Sequence, residues 1–282
     1  IDTTAPTTAT VYDRPNGSAS SGADTEDNGD GSLTELSARW DAFSDSASGV
    51  SKYEHSIGTA AGGTDISGWT DNGLALFKDR ASPLTLQTSK TYFFNVRATD
   101  VAGNTSAVAS SNGQYVTPTL TFDIDVSASD TETSAPYVVA FGDLPVATVT
   151  DSPVKVWIDL ASNGAGGGKV YLAGQNAGLK SAAANFTIGT VSGDLSALSG
   201  GFGAQGATAT QGSGGPLAIS SPYNVTGQTV GMTDTILRDI FTSSSPITAG
   251  RGSFLLKAKS SAVTPASNDY AEILTVIAAS TY

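Results

Sequence analysis

The sequence contains no cysteine in 282 residues and a single histidine, His55. Disulfide bonds, thiolate metal sites and cysteine nucleophiles are therefore excluded. A zinc site built on a pair of histidines is excluded for the same reason. The sequence also lacks any apolar run of about 18 residues, so no membrane-spanning helix is expected. The lack of cysteine does not fix the compartment, and an extracellular location stays open.

Charged residues are also scarce, at 14% of the chain, and the net charge is −12. Such a surface repels the phosphate backbone, so no nucleic-acid partner is expected. An acidic surface suits solubility and the binding of divalent cations. Glycine is abundant, with 32 residues, and this composition is typical of short strands joined by many turns. The chain begins at Ile1 without a charged and apolar leader, so we expect a processed or excised product.

Alternation of apolar and polar residues predicts strands along most of the chain. The pattern is clear at residues 36–40, at residues 92–98 and again at residues 120–127, where a new sheet begins after Pro118. Further strands are predicted at residues 137–141, 154–160, 169–174, 186–191, 253–259 and 270–280. The last of these is apolar on both faces, which predicts a central strand.

Two segments depart from this pattern. The stretch GMTDTILRDIF, residues 231–241, places apolar residues at helical spacing, with Thr233 as a cap, and predicts one short helix packed on a sheet. Residues 193–216 are rich in Gly, Ala and Ser and predict a long loop. This loop contains GFGAQG, which lacks the flanking strand and helix of a dinucleotide-binding motif.

Several stretches of the first part resemble a bacterial fibronectin type III repeat: DTTAPT at residues 2–7, WDAFSDSASGVSKYEHSIGT at 40–59, GGTDISGWT at 62–70 and TYFFNVRATDVAGNTS at 91–106. In this resemblance Trp40 is the strand B tryptophan and Tyr92 is the corner tyrosine that opens strand F. The resemblance covers about residues 1–118. It implies a spacer or binding module in a secreted or surface protein, without catalysis.

The expected architecture is all-β, with two β-sandwich domains. Residues 1–118 form the fibronectin type III-like domain, and residues 119–282 form a larger sandwich with one short helix. The second domain is loosely similar to subunits of bacterial surface fibres, because its Gly- and Thr-rich strands lack cysteine and end in an apolar strand.

Two acidic clusters are candidate calcium sites. The stretch DTEDNGDGSLTE nearly fits a calcium-loop pattern, and its candidate ligands are Asp24, Glu26, Asn28, Asp30 and Glu35. The alternative is a solvated acidic turn between two strands. A second cluster, Asp41, Asp45, Asp100 and Asn104, lies in two loops that share one pole of a fibronectin-type sandwich. For these residues the alternative is ordinary turn chemistry, in which Asp and Asn bond their own backbone.

Two tryptophans, Trp69 and Trp157, are candidate ligand-binding residues, because an exposed indole stacks on sugar rings. The alternative is that a neighbouring domain or subunit covers them.

No catalytic constellation is found, so no enzyme activity is expected. The sequence therefore predicts an extracellular structural protein, a subunit or stalk module of a bacterial cell-surface filament or layer. Self-association into a polymer would proceed by strand addition or sheet packing, with residues 1–13 and 270–282 as the candidate segments. The alternative is a carbohydrate-binding or adhesive accessory module of a larger secreted protein, with surface glycans as partners.

Overall fold

The computed structural model describes residues 1–28 and 31–282, and this part of the chain is all-β, as the sequence predicts. The chain divides into two compact units, Ile1–Pro118 and Thr119–Tyr282. Between them they contain 22 strands. The described residues form no helix, and hence none that could cross a membrane.

Unit 1 is built from two antiparallel sheets. Its strands are β1 Val11–Arg14, β2 Leu36–Trp40, β3 Val50–Gly58, β4 Ser67–Asp71, β5 Phe77–Ala81, β6 Thr91–Asp100, β7 Ala109–Ser110 and β8 Gln114–Tyr115. One sheet has the order β1-β2-β5, and the other has the order β4-β3-β6-β7 with β8 also on β6. Trp40 of the first sheet packs against Tyr53 and Phe94 of the second, at ring-centroid distances of 6.1 and 6.3 Å. The two sheets therefore face each other across one core, an arrangement of the β-sandwich type.

Tyr92 closes one corner of unit 1. Its ring is buried, and its hydroxyl accepts a hydrogen bond of 2.8 Å from the backbone N–H of Gln87. A tyrosine that bonds to the backbone a few residues upstream is a corner feature of immunoglobulin-like sandwiches.

Unit 2 holds the remaining strands. They are β9 Leu120–Ser127, β10 Val149–Asp151, β11 Lys155–Ser162, β12 Gly168–Gly174, β13 Gly178–Ser181, β14 Phe186–Gly189, β15 Gly193–Asp194, β16 Gly201–Thr210, β17 Ser213–Gly214, β18 Leu217–Ile219, β19 Thr229–Val230, β20 Arg238–Ser243, β21 Ile247–Lys259 and β22 Leu274–Ser280. One large sheet runs β10-β21-β11-β9, with β16 and β17 also on β21, and the other runs β18-β20-β12-β22. Ile158, Phe241 and Phe254 are fully buried in the core to which both sheets contribute.

The predicted helix at residues 231–241 is wrong. Residues 232–237 are turn and coil, and β20 begins at Arg238. Asp234 fixes the turn, because its carboxylate accepts hydrogen bonds from the N–H of Ile236 and from the Arg238 guanidinium. The tertiary pairing of β20 with β12 and β18 overrides the helical spacing of the apolar residues.

The predicted loop at residues 193–216 is also wrong, because its centre is β16, a ten-residue strand on β21. Its glycines are needed for close packing. A Cβ at Gly203 would lie 2.6 Å from the carbonyl oxygen of Gly231, and one at Gly206 would lie 2.4 Å from Ile219. Small residues here mark the close approach of neighbouring chain segments rather than flexibility.

Two other predictions about strands of unit 2 are also wrong. Residues 137–141, predicted as a strand, are coil. The closing strand β22 lies at the edge of its sheet and pairs with β12 alone among the described strands. Its apolar residues on both faces therefore do not make it central.

Candidate functional site

The acidic loop around residues 24–35 does not assemble its candidate ligands in the described residues. Asp24 accepts a hydrogen bond of 2.7 Å from the N–H of Asp13, and Glu26 accepts one of 3.2 Å from the amide of Asn112. Glu35 forms an ion pair with Arg80 at 2.7 Å. The fourth candidate, Asp30, lies outside the described residues. Each of these three carboxylates is therefore engaged with a different part of unit 1.

Asn28 organises the loop instead of pointing to solvent. It is buried, its side-chain oxygen accepts from the N–H of Gly31 at 3.1 Å, and its amide donates to the carbonyl of Ser32 at 2.9 Å. These are the contacts of a turn-forming Asn.

Asp13 is the unusual acid of this region, and it was not among the sequence candidates. It is 1% exposed, and its carboxylate accepts a hydrogen bond of 3.0 Å from the N–H of Gly113. The pKa of Asp13 is raised to about 7, chiefly by burial; the nearby charges of Asp24 and Glu26 contribute to the rise, and hydrogen bonds from Ser111 and Gly113 oppose it. Asp13 thus titrates near neutral pH.

The second acidic cluster is partly brought together at one pole of unit 1. Carboxylate oxygens of Asp2, Asp45 and Asp100 lie within 4.8 Å of one another. Asn104 joins them, since its amide donates to Asp100 at 2.8 Å and to the backbone carbonyl of Asp2 at 3.3 Å. Asp41 lies apart from this group and accepts a hydrogen bond from Tyr12 instead. Asp2 was missed because it precedes the first strand by nine residues.

Hydrogen-bond donors are unevenly distributed over these three carboxylates. Asp45 accepts three backbone N–H groups, from residues 47 to 49, and Asp100 accepts both the backbone and the side chain of Asn104. The Oδ2 atom of Asp2, by contrast, is buried and has no hydrogen-bond partner within the described part of unit 1. Burial would raise the pKa of Asp100, but hydrogen bonds from Asn104 and Gly103 outweigh it and hold the pKa below its ordinary value. A hard cation with oxygen ligands suits this arrangement.

Trp157 is placed where it presents no open ring to a ligand. It is 8% exposed, and its indole N–H donates a hydrogen bond of 3.2 Å to the carbonyl of Ser127. Lys155 and Arg251 lie over its ring at 5.2 and 5.4 Å. This side chain is therefore enclosed by cations of unit 2.

Trp69 is half-buried on the outer side of unit 1, on the edge strand β4. Asp71 stands two residues further along the same strand, so both side chains share one face. In the register of the sheet, Glu54 of β3 is opposite Asp71 on one side and opposite Arg97 of β6 on the other. Arg97 contacts the indole, and ion pairs continue from Arg97 through Glu54. We call this surface the Trp69 face; it consists of Lys52, Glu54, Trp69, Asp71 and Arg97.

Ion pairs hold the Trp69 face in place. The Arg97 guanidinium lies 4.3 Å from the centre of the Trp69 ring and donates a hydrogen bond of 3.0 Å to Glu54. Lys52 lies 3.3 Å from Glu54 and 3.7 Å from Asp71. Burial would raise the pKa of Glu54, but Arg97 and Lys52 outweigh it and lower the pKa. Two cations and two carboxylates therefore give the Trp69 face no net charge, and Arg97 contacts the indole.

Unit 2 contains a cavity of about 980 Å³ between its two sheets. Apolar side chains of β9, β21 and β22 line it, among them Ile124, Leu256 and Val276. Residues 137–144 also line it, and we call this segment the strap. The lining of the cavity is mainly apolar.

An acidic cluster lies on the outer side of β9 and β11. Carboxylate oxygens of Asp123, Asp125 and Glu132 lie within 4.8 Å of one another. Arg251 compensates part of this charge, through ion pairs with Asp125 at 3.0 Å and with Asp159. The charge of Asp125 raises the pKa of Glu132. Of this cluster, Asp125 is the member that forms an ion pair with Arg251 in the described part of the chain.

Comparison with known proteins gives weak similarities only. No family model matches the sequence, and no curated protein matches it. Among solved structures, a chitinase from Bacillus thuringiensis has 13% identity and a TM-score of 0.24, over 98% of this chain and 29% of that one. An alpha-L-rhamnosidase from Dictyoglumus thermophilum has 11% identity and a TM-score of 0.24, over 87% of this chain and 25% of that one. This chain spans less than a third of the length of these two chains.

A structure of carbohydrate-binding modules from the beta-sandwich superfamily has 10% identity and a TM-score of 0.22, over 99% of this chain and 97% of that one. TM-scores at this level do not establish a common fold.

Proposed function

We propose that this chain is a non-catalytic, glycan-binding module of a secreted protein and that the Trp69 face is its binding surface. The observation that carries the proposal is the half-buried Trp69 on the edge strand β4, with Arg97 against its ring and further ion pairs that continue from Arg97 along the same face. The resemblance of residues 1–118 to a fibronectin type III repeat supports a module of this kind.

The chemistry of the Trp69 face suits a sugar. An indole ring offers an apolar, rigid platform with a polar N–H at its edge. Arg97 covers one face of the Trp69 ring, so a sugar ring would stack on the opposite face. The carboxylates of Glu54 and Asp71 accept hydrogen bonds from sugar hydroxyls, while Lys52 and Arg97 donate to them. Because the four charges sum to zero and the whole chain carries −12, a neutral polysaccharide fits better than an acidic one.

Binding to neutral polysaccharides, measured by affinity electrophoresis and by titration calorimetry, tests this proposal. Trp69→Ala is expected to weaken binding by roughly thirtyfold or more, since loss of an aromatic anchor costs about 2 kcal/mol. Trp157→Phe is the matched control, because Trp157 is enclosed in unit 2, and it should leave the affinity unchanged. Equal binding by both variants, or no binding to any neutral glycan, would refute the proposal.

A second candidate function is a structural subunit of an extracellular cell-surface filament or layer. One observation favours it: β22 and β9 are edge strands of their sheets, with no strand on their outer edges among the described residues. Such edges are templates for strand addition by another chain. Negative-stain electron microscopy of the concentrated protein tests it, with ordered filaments as the expected result and dispersed particles as the result against it.

A further inference from the structure

The cavity of unit 2 has the form of a vacant strand position. On one rim β9 pairs with β11 alone, and on the other rim β22 pairs with β12 alone, in the described part of the chain. Each rim therefore carries backbone N–H and C=O groups that no strand engages. Between the rims lies an apolar volume of about 980 Å³. A further strand placed there would gain hydrogen bonds from its backbone and bury its inward side chains.

The strap has the sequence of such a strand. Its residues YVVAF are β-branched and aromatic, which favours extended backbone. Val139 and Phe141 pack against the core, and the ring of Phe141 lies 6.2 Å from that of Phe202. Val138, which falls between Tyr137 and Val139, is 70% exposed. From Val138 to Phe141 the side chains thus alternate between the outside and the inside, as they do in a strand, whereas Tyr137 is 40% exposed and departs from the alternation.

The strap nevertheless forms no backbone hydrogen bond to either rim among the described residues. Contacts at both ends hold it where it is. Before the strap, the N–H of Thr133 donates to Asp125 at 2.6 Å. After it, the N–H of Ala147 donates to the carbonyl of Ser260 at 2.9 Å. Within its own unit the strap supplies side chains to the cavity, and among the described residues its backbone is hydrogen-bonded at its end, where the carbonyl of Leu144 accepts from the Ser260 hydroxyl at 3.1 Å.

We infer that unit 2 associates with a second copy of this chain by reciprocal exchange of the strap. The occupant is the same segment from the partner, because Val139 and Phe141 already fit this cavity. Exchange keeps their apolar contacts and adds backbone hydrogen bonds to the edges of β9 and β22. A strap that leaves its cavity empties it, and only a closed pair refills both, so the product is a symmetric dimer. A dimer would present two Trp69 faces and so raise the avidity for a polymer.

Sedimentation velocity of the full chain, refolded from urea at high concentration so that exchange is not limited by unfolding, tests the inference. The wild type is expected to form a dimer. Ala140→Pro is expected to raise the dissociation constant by about tenfold, because it removes a backbone donor that the monomer does not use and the exchanged strand does. Ala140→Ser is the matched control and should dimerise like the wild type. A wild type that stays monomeric, or an Ala140→Pro variant that dimerises as well as Ala140→Ser, would overturn the inference.

A cross-linking experiment gives an independent result if Ala140→Pro fails to fold. Because the chain has no cysteine, single cysteines can be introduced without background. One preparation carries Ala140→Cys and another carries Thr275→Cys on β22; both positions are exposed. The two preparations are mixed, refolded together and oxidised. The expected product is a disulfide-linked heterodimer, well above the yield from Ala140→Cys mixed with Ala61→Cys in unit 1. Equal yields from the two mixtures would contradict strap exchange.

Discussion

The substitution Asp13→Asn tests how the buried carboxyl group of unit 1 affects stability. The pKa of Asp13 is raised from 3.8 to about 7 in the folded chain, with burial as the largest cause. Between these pH values the folded state holds a proton that the unfolded state has lost. Stability from Asp13 is therefore fully present below about pH 4 and is lost as the pH rises through about 7. A shift of about three pKa units corresponds to about 4 kcal/mol.

Asn has nearly the same shape as Asp, keeps an oxygen for the N–H of Gly113 and carries no charge. We therefore expect Asp13→Asn to match the wild type near pH 4 and to be more stable by up to about 4 kcal/mol at pH 8. The free energy of unfolding is measured by urea titration, with tryptophan fluorescence as the signal. A Trp157→Phe background leaves only unit 1 tryptophans as reporters.

Asp41→Asn makes the same change in net charge at an exposed carboxylate and is the control for that change. The difference between each variant and the wild type cancels the contribution of other groups that titrate in this range. A difference curve for Asp13→Asn that stays flat from pH 4 to pH 8 would refute the account of Asp13 as an acid kept protonated by burial.

Three further predictions concern other parts of the chain. Burial, with the charge of Lys78, lowers the pKa of His55 to about 4, so the stability that neutral His55 contributes is lost as the pH falls from 6.5 to 4. Urea titrations of the wild type should show this loss as a fall of about 3 kcal/mol in the free energy of unfolding, and His55→Phe should not show it; an equal fall in both proteins would contradict this. We propose that calcium binds at Asp2, Asp45 and Asp100. Calcium at roughly a hundredfold above its dissociation constant should then stabilise unit 1 by about 2.7 kcal/mol and raise its Tm. Asp45→Asn should abolish this rise in Tm, and an equal rise in the wild type and the variant would count against the site. Gly203→Ala should destabilise unit 2 by about 1–3 kcal/mol in urea titrations, because the added Cβ would lie 2.6 Å from a backbone oxygen; Gly189→Ala, with no atom within 4 Å in the described chain, is the control, and equal stabilities would refute the packing account.

Strand positions were the most predictable part of the fold. The alternation at residues 36–40, 92–98 and 120–127 matches β2, β6 and β9, because each of these strands has one face in a core. The segments that failed were those where tertiary contacts decide the outcome. Helical spacing before Phe241 yields to strand pairing with β12, and a Gly-rich stretch becomes β16 because its neighbours approach too closely for side chains.

The candidate sites were less predictable, because they depend on which loops meet. Asp45, Asp100 and Asn104 share one pole through the antiparallel order of β3 and β6, but the third carboxylate comes from Asp2, far away in the sequence. The partners of Trp69 follow from cross-strand register, which the sequence alone does not fix. The cavity of unit 2 gives no sequence signal, apart from the β-forming strap that remains unpaired.

The most direct test of the proposed function is the affinity of the purified chain for neutral polysaccharides, compared between the wild type and Trp69→Ala. The account predicts saturable binding by the wild type and roughly thirtyfold weaker binding by Trp69→Ala, with Trp157→Phe unchanged. Binding that survives Trp69→Ala, or no binding by the wild type to any neutral glycan, would contradict it.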